Sequence, residues 1–211
     1  MKALNILFFL IFLPFLSFSQ DAKAEKILNQ MSQKYKQLKG FKAEFSYQMT
    51  DSKGKALSEN INGNIAVKGN KYRLKVKGQE IFNNTKKVWT YMPDDKEVTV
   101  SDYDPEDGEI SPAQIYTIYQ KNYKYVFAET AKIGSSVCDV IDLMPLDKKK
   151  DVFKIRLFID QKDLSLVKWE VFEKSSKRYV YMVKKFEEST FKDDYFEFKK
   201  ADYPNVEVID L

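Results

Sequence analysis

The chain has 211 residues, of which 44% are apolar and 15% aromatic, enough to build the core of one ordinary domain and too many for a disordered chain. Its 35 basic and 31 acidic residues leave a net charge of +4, too small and too evenly spread to imply a nucleic-acid partner. There is no histidine and only one cysteine, Cys138, which excludes Ser-His-Asp and Cys-His catalysis, His-containing zinc sites, thiolate cages and an internal disulfide.

Lys2 is the only charge before Asp21, and Leu4 to Phe18 is almost wholly apolar, ending in Ser17-Phe18-Ser19. This is the pattern of a secretory leader cut after Ser19, leaving a soluble single domain over 20–211. The apolar run falls short of the roughly 20 residues that span a bilayer, and no cysteine follows the cut to carry a lipid anchor. Export without a disulfide leaves the fold to be held by its core.

From Asp21 to Lys39, the residues Ala24, Ile27, Leu28, Met31, Tyr35 and Leu38 recur at spacings of three and four, and Gly40 follows. That predicts an amphipathic helix with a glycine stop. The period then changes to two. Phe41, Ala43, Phe45, Tyr47 and Met49 alternate with polar residues, as in a half-buried strand. The same alternation returns at Ile61–Val67, Tyr72–Val76, Val88–Met92, Glu97–Tyr103, Tyr123–Phe127, Val137–Met144, Phe153–Ile159, Val167–Val171 and Tyr179–Val183. Pro93-Asp94-Asp95-Lys96 suits a type I turn. The spacing predicts a mainly β fold: an incomplete, half-open antiparallel barrel of about ten to eleven strands with an N-terminal helix.

One segment interrupts the strands. After an acidic stretch from Asp102 to Glu109, Ser111-Pro112-Ala113-Gln114 forms a capping box, and Ile115, Tyr116, Ile118 and Tyr119 give a short helix an apolar stripe. Such an inserted helix would pack as a lid in the mouth of the barrel. The inward residues either fill the interior completely or leave a hydrophobic cavity, and periodicity does not decide between them.

The other chemical readings are weaker. Asp102, Asp104, Glu106, Asp107 and Glu109 lack the glycine and the terminal glutamate of a calcium loop, with Asp107 and Ala113 at those places. Lys148, Lys149 and Lys150 occupy a turn with no aromatic platform for nucleic acid. No glycine-rich phosphate loop occurs, so an energy-driven step would need a partner.

Gly63-Asn64-Ile65-Ala66-Val67-Lys68, Tyr72-Arg73-Leu74 and Asn83-Asn84-Thr85-Lys86 leading into Val88-Trp89-Thr90-Tyr91-Met92-Pro93 resemble the paired strand motifs of the periplasmic outer-membrane lipoprotein carriers, the LolA family. Tyr195-Phe196-Glu197-Phe198 and Pro204 to Asp210 are similar to that family's closing segments. The resemblance implies a non-enzymatic, monomeric, cofactor-free periplasmic carrier that holds the acyl chains of lipoproteins between the inner and outer membranes. Its partners would be acylated lipoproteins, an inner-membrane ABC-type release complex and an unidentified outer-membrane acceptor. A binding or sensing module of the same fold, reading exposed lipid or misassembled envelope protein without transfer, is the alternative. Phe41, Phe45, Tyr47, Met49, Ile65, Val67, Tyr72, Leu74, Trp89 and Tyr91 are the residues expected to line the cavity, with Ile115, Tyr116, Ile118 and Tyr119 as its lid. The arginine that the resemblance would place after the Val-x-Lys segment, as a lid latch, is Gly69 here, and the expected Asp-Gly turn is Asn84-Thr85.

Overall fold

A computed structural model describes residues 16–105 and 113–211. The expected leader up to residue 15, the acidic loop beyond Pro105 and the capping pair Ser111-Pro112 lie outside the described residues. The described residues begin with their one α-helix, α1 (Leu16–Gln37), which starts within the expected leader. The strands are β1 (Phe41–Thr50), β2 (Ile61–Lys68), β3 (Lys71–Val76), β4 (Gln79–Asn83), β5 (Lys87–Met92), β6 (Glu97–Asp102), β7 (Tyr123–Ile133), β8 (Ser136–Pro145), β9 (Val152–Asp160), β10 (Leu166–Glu173), β11 (Arg178–Glu188) and β12 (Glu207–Asp210).

All of them form one 12-stranded sheet in the order β12-β6-β5-β4-β3-β2-β1-β11-β10-β9-β8-β7. The sheet is open, with β12 and β7 at its edges, and every pairing is antiparallel except β12 with β6. It is two meanders, β1–β6 and β7–β11, joined along the β1–β11 seam. The strand count exceeds the sequence expectation because β4 and β12 carry weak signals. In β4 the polar residues Glu80 and Asn83 are themselves buried, which hides the alternation.

The inner face of the sheet is the one α1 packs on. Ala24, Leu28 and Met31 are fully buried with Ile141, Leu143, Ile155, Leu157 and Ile159, so this part of the interior is solid core. Tyr35 fixes the helix end: its hydroxyl accepts the backbone N–H of Leu166 at 3.1 Å, and Lys34 Nζ donates to Asp163 O at 2.7 Å. The helix therefore lies near the end of the sheet where β1 begins. The opposite end, carrying the β1–β2, β3–β4, β5–β6, β8–β9 and β10–β11 connections, is left uncovered by it.

Candidate functional site

At that uncovered end the inner face is an apolar, half-exposed wall. The β1–β11 register sets Tyr47 opposite Tyr181 and Met49 opposite Tyr179, while β10 sets Trp169 opposite Tyr181. Tyr181 thus has its ring sandwiched between two cross-strand neighbours on the inner face. Its ring stacks on Trp169 at 4.7 Å and 5°, and on Tyr47 at 5.6 Å and 23°. The three rings tile three adjacent strands, each half-buried. Burial pushes the Tyr181 phenol up to about 12, so it stays neutral at any physiological pH.

The wall continues across β2 and β3. Ile61 pairs with Tyr47, Ile65 with Leu74, and Gly63 with Phe45 and Val76. Gly63 is required by close approach: a Cβ there would stand 2.6 Å from the Phe45 ring and 2.8 Å from Val76 Cγ1. From β10 to β3 the inner positions Trp169, Tyr181, Tyr47, Ile61, Leu74 and Val76 carry no charge. These positions make one continuous uncharged surface on the inner face.

The inserted segment fills the other half. Its described part is a turn over residues 113–117 followed by one 3-10 turn, Ile118–Gln120, rather than a full α-helix. Ile115 and Tyr119 are buried, and Tyr116 stacks on Tyr35 at 3.6 Å and 19°. The Tyr119 hydroxyl donates to Asn29 Oδ1 at 2.8 Å, and Gln114 Nε2 donates to the Tyr103 hydroxyl at 3.2 Å. Of the expected lid residues, Ile115 and Tyr119 belong to the core cluster that α1 and the sheet share, and Tyr116 and Ile118 pack against it.

The expected cavity residues divide three ways. Tyr47 and Met49 belong to the half-exposed wall, and Ile65 and Leu74 join it to the core cluster, against which they pack. Phe41, Val67 and Tyr72 are buried in the core cluster beside α1, and Phe45 is buried over Gly63. Trp89 and Tyr91 are corrections: they point to the outer face. β5 pairs Trp89 with Phe82 and Tyr91 with Glu80, both outward, and Tyr91 packs on Tyr203 at 4.6 Å and Phe198 at 6.2 Å. The C-terminal segment covers this face, so both sides of β5 are apolar. Sequence reasoning missed Trp169, Tyr179 and Tyr181 as wall residues because their juxtaposition with β1 depends on the long-range seam.

The outer face also holds an internal ion pair. Arg73 Nε donates to Glu80 Oε1 at 2.7 Å, and the guanidinium lies between the rings of Phe82 (4.6 Å) and Tyr195 (5.0 Å). A depression of about 290 Å³ beside this pair is lined by charges of both signs, including Lys42, Lys75, Lys185 and Glu187. Gly69, at the place of the expected latch arginine, is the exposed tip of the β2–β3 hairpin with φ +58°. The contacts of Tyr116 and Tyr119 hold the inserted segment without it.

Among the described residues no group of three or more His, Cys, Asp or Glu side chains could hold a metal ion, and no described helix is long and apolar enough to cross a membrane. Residues 36–199 match the family model described as outer membrane lipoprotein carrier protein LolA. No curated protein matches the sequence. Among solved structures, an uncharacterized conserved protein from Thermus thermophilus is similar with a TM-score of 0.61 at 9% identity, over 89% of this chain and 99% of that one. A LolA superfamily protein from Nitrosomonas europaea gives 0.45 at 14% identity (83% and 97% covered), and LprF from Mycobacterium bovis gives 0.47 at 12% (82% and 96%).

Proposed function

The chain belongs to the LolA family of outer membrane lipoprotein carrier proteins, and from that premise we propose that it is a periplasmic carrier that takes the acyl chains of lipoproteins onto its inner wall. The observation that carries this reading is the uncharged, half-exposed surface built by Trp169, Tyr181 and Tyr47 and extended by Ile61, Leu74 and Val76. Burying one CH₂ is worth about 0.8 kcal/mol, so one long acyl chain carries roughly 10 kcal/mol and a triacylated anchor on the order of 30, too much to leave in water. An open wall covers a chain on one side only. It therefore holds the guest more weakly than a bilayer does, which lets the guest be delivered.

The release step would come from an inner-membrane ABC-type complex, because this chain has no nucleotide-binding loop of its own. The purified protein, incubated with membranes bearing newly made lipoproteins and such a complex, is expected to yield a soluble lipoprotein complex that later surrenders its cargo to outer-membrane vesicles. No soluble complex overturns the reading. A complex that forms and never releases replaces it with the non-transferring binding or sensing role.

A further inference from the structure

The connections at the uncovered end differ sharply from one side of the wall to the other. Below β1, β11, β10 and β9 they are tied into one surface: Lys174 N donates to Asp151 O at 3.0 Å, Lys174 Nζ to Lys148 O at 2.6 Å, and Arg178 Nη2 to Ser52 O at 3.1 Å. Lys148, Lys149, Lys174 and Lys177 are all exposed on it. The carboxylates in the β8–β9 and β10–β11 connections are Asp147 and Asp151, and Asp147 Oδ1 is already accepting the Lys149 N–H at 2.8 Å. On the opposite rim Asp94 and Asp95 stand beside Lys96, and Lys77 is paired with Glu59 at 3.5 Å. The excess positive charge is thus one-sided.

Large apolar side chains stand on the same basic side. Leu146 is 52% exposed and Phe153 47%, with Leu57 at 49% on the neighbouring β1–β2 loop. Leu146 stands in the β8–β9 connection, Leu57 in the β1–β2 loop, and Phe153 at the start of β9 with its ring 6.2 Å from that of Phe172; such dispersed apolar tips fit a fluid plane better than a shaped partner. Ammonium groups that reach phosphates, alternating with leucine and phenylalanine tips that enter the acyl boundary, are the chemistry of an interfacial membrane contact. We propose that this rim docks on an anionic phospholipid bilayer and so sets the edge of the Trp169–Tyr181–Tyr47 wall against the membrane. A lysine and leucine rim of this kind selects charge and interface, with no headgroup-specific pocket.

The inference goes beyond the carrier reading and is tested without any lipoprotein, so either can fail alone. Purified protein is floated with phosphatidylcholine vesicles, with and without phosphatidylglycerol. Binding is expected only to the anionic vesicles, and raised salt should release it. The triple variant K148Q/K149Q/K177Q should bind about tenfold or more weakly, since each lysine near an anionic surface contributes a comparable increment. L146S/F153S should also weaken binding, and the opposite-rim variant K77Q/K96Q should bind as the parent does. These are exposed sites, and unchanged circular dichroism excludes misfolding as the cause. Equal binding to neutral vesicles, no binding at all, or full retention by the triple variant overturns the proposal. So does binding to polyglutamate as tight as to vesicles and indifferent to L146S/F153S, which would assign the rim to an acidic protein.

Discussion

The ring of Tyr116 lies 3.6 Å from that of Tyr35 and within 19° of parallel, so a residue of the inserted segment is clamped onto the helix that closes one end of the sheet. Tyr35 in turn meets Phe41 at 5.8 Å and Phe186 at 5.7 Å, one on each side of the β1–β11 seam. Replacing Tyr116 by alanine removes a half-buried, stacked ring and is expected to cost about 2–4 kcal/mol in urea denaturation, with Tyr116→Phe within about 1 kcal/mol of the parent. The alanine variant should also bind more of a fluorescent hydrophobic dye, because the space the ring filled becomes accessible.

Trp169 is expected to report on an acyl guest directly. Its emission should shift to the blue when a long-chain fatty acid is added. Trp169→Ala should weaken binding of a fluorescent fatty-acid analogue by at least about tenfold, the equivalent of roughly 1.4 kcal/mol. An unchanged affinity would remove the stacked rings from the binding surface.

Tyr91→Ala should behave in the opposite way. Its ring packs on Tyr203 and Phe198 under the C-terminal segment, so the loss falls on stability, by about 2–4 kcal/mol, and leaves fatty-acid affinity unchanged. A fall in affinity with stability intact would put the residue back on the inner wall.

Alkaline pH should loosen the fold. Burial pushes the Tyr35 phenol up from its usual 10 to about 12 and does the same to Tyr181. Each keeps its proton in the folded chain at a pH where the unfolded chain has lost it. This contribution is therefore whole below pH 10 and disappears as pH rises from 10 to 12, at about 1.4 kcal/mol per pH unit for each tyrosine. Denaturation midpoints measured at pH 8, 10 and 11 should be level over the first interval and fall over the second; a profile still flat at pH 11 contradicts the burial of these two rings.

Thr85 adopts φ +73° in the β4–β5 turn, a left-handed conformation that a β-branched residue accepts poorly. Its N–H is held by Asn83 Oδ1 at 2.7 Å, which fixes the turn in that form. Thr85→Gly relieves the side-chain clash and increases the freedom of the unfolded chain, and the balance is expected to be a gain of about 0.5–1 kcal/mol by thermal or urea denaturation.

Much of this architecture is legible in the chain itself. The spacing of Ala24, Leu28, Met31 and Tyr35 marks the buried stripe of α1, and the alternation from Phe41 to Met49 marks β1, because one face of each element is buried and the other wet. Alternation says which residues share a face and leaves open which face is inside. Trp89 and Tyr91 show the consequence: a segment more than a hundred residues later covers their side of the sheet, so aromatic content gave the wrong direction. The partnership of Tyr47 with Tyr181 and Trp169 has no local signature at all, since strand pairing across that distance is decided by the whole topology. The inserted segment carries the periodicity of a helix, yet it is too short to be helical on its own account, and the docking of Ile115, Tyr116 and Tyr119 decides its shape.

The seam between β1 and β11 also sets the order of events when the chain folds. The first strand made cannot complete its hydrogen bonding until the eleventh has emerged, so its free edge waits through most of synthesis. Contacts of such wide separation close slowly, on the millisecond to second scale typical of non-local β topologies. During that wait Lys42 and Glu44, both exposed in the finished sheet, place opposite charges along the orphaned strand and make it a poor template for another copy of itself.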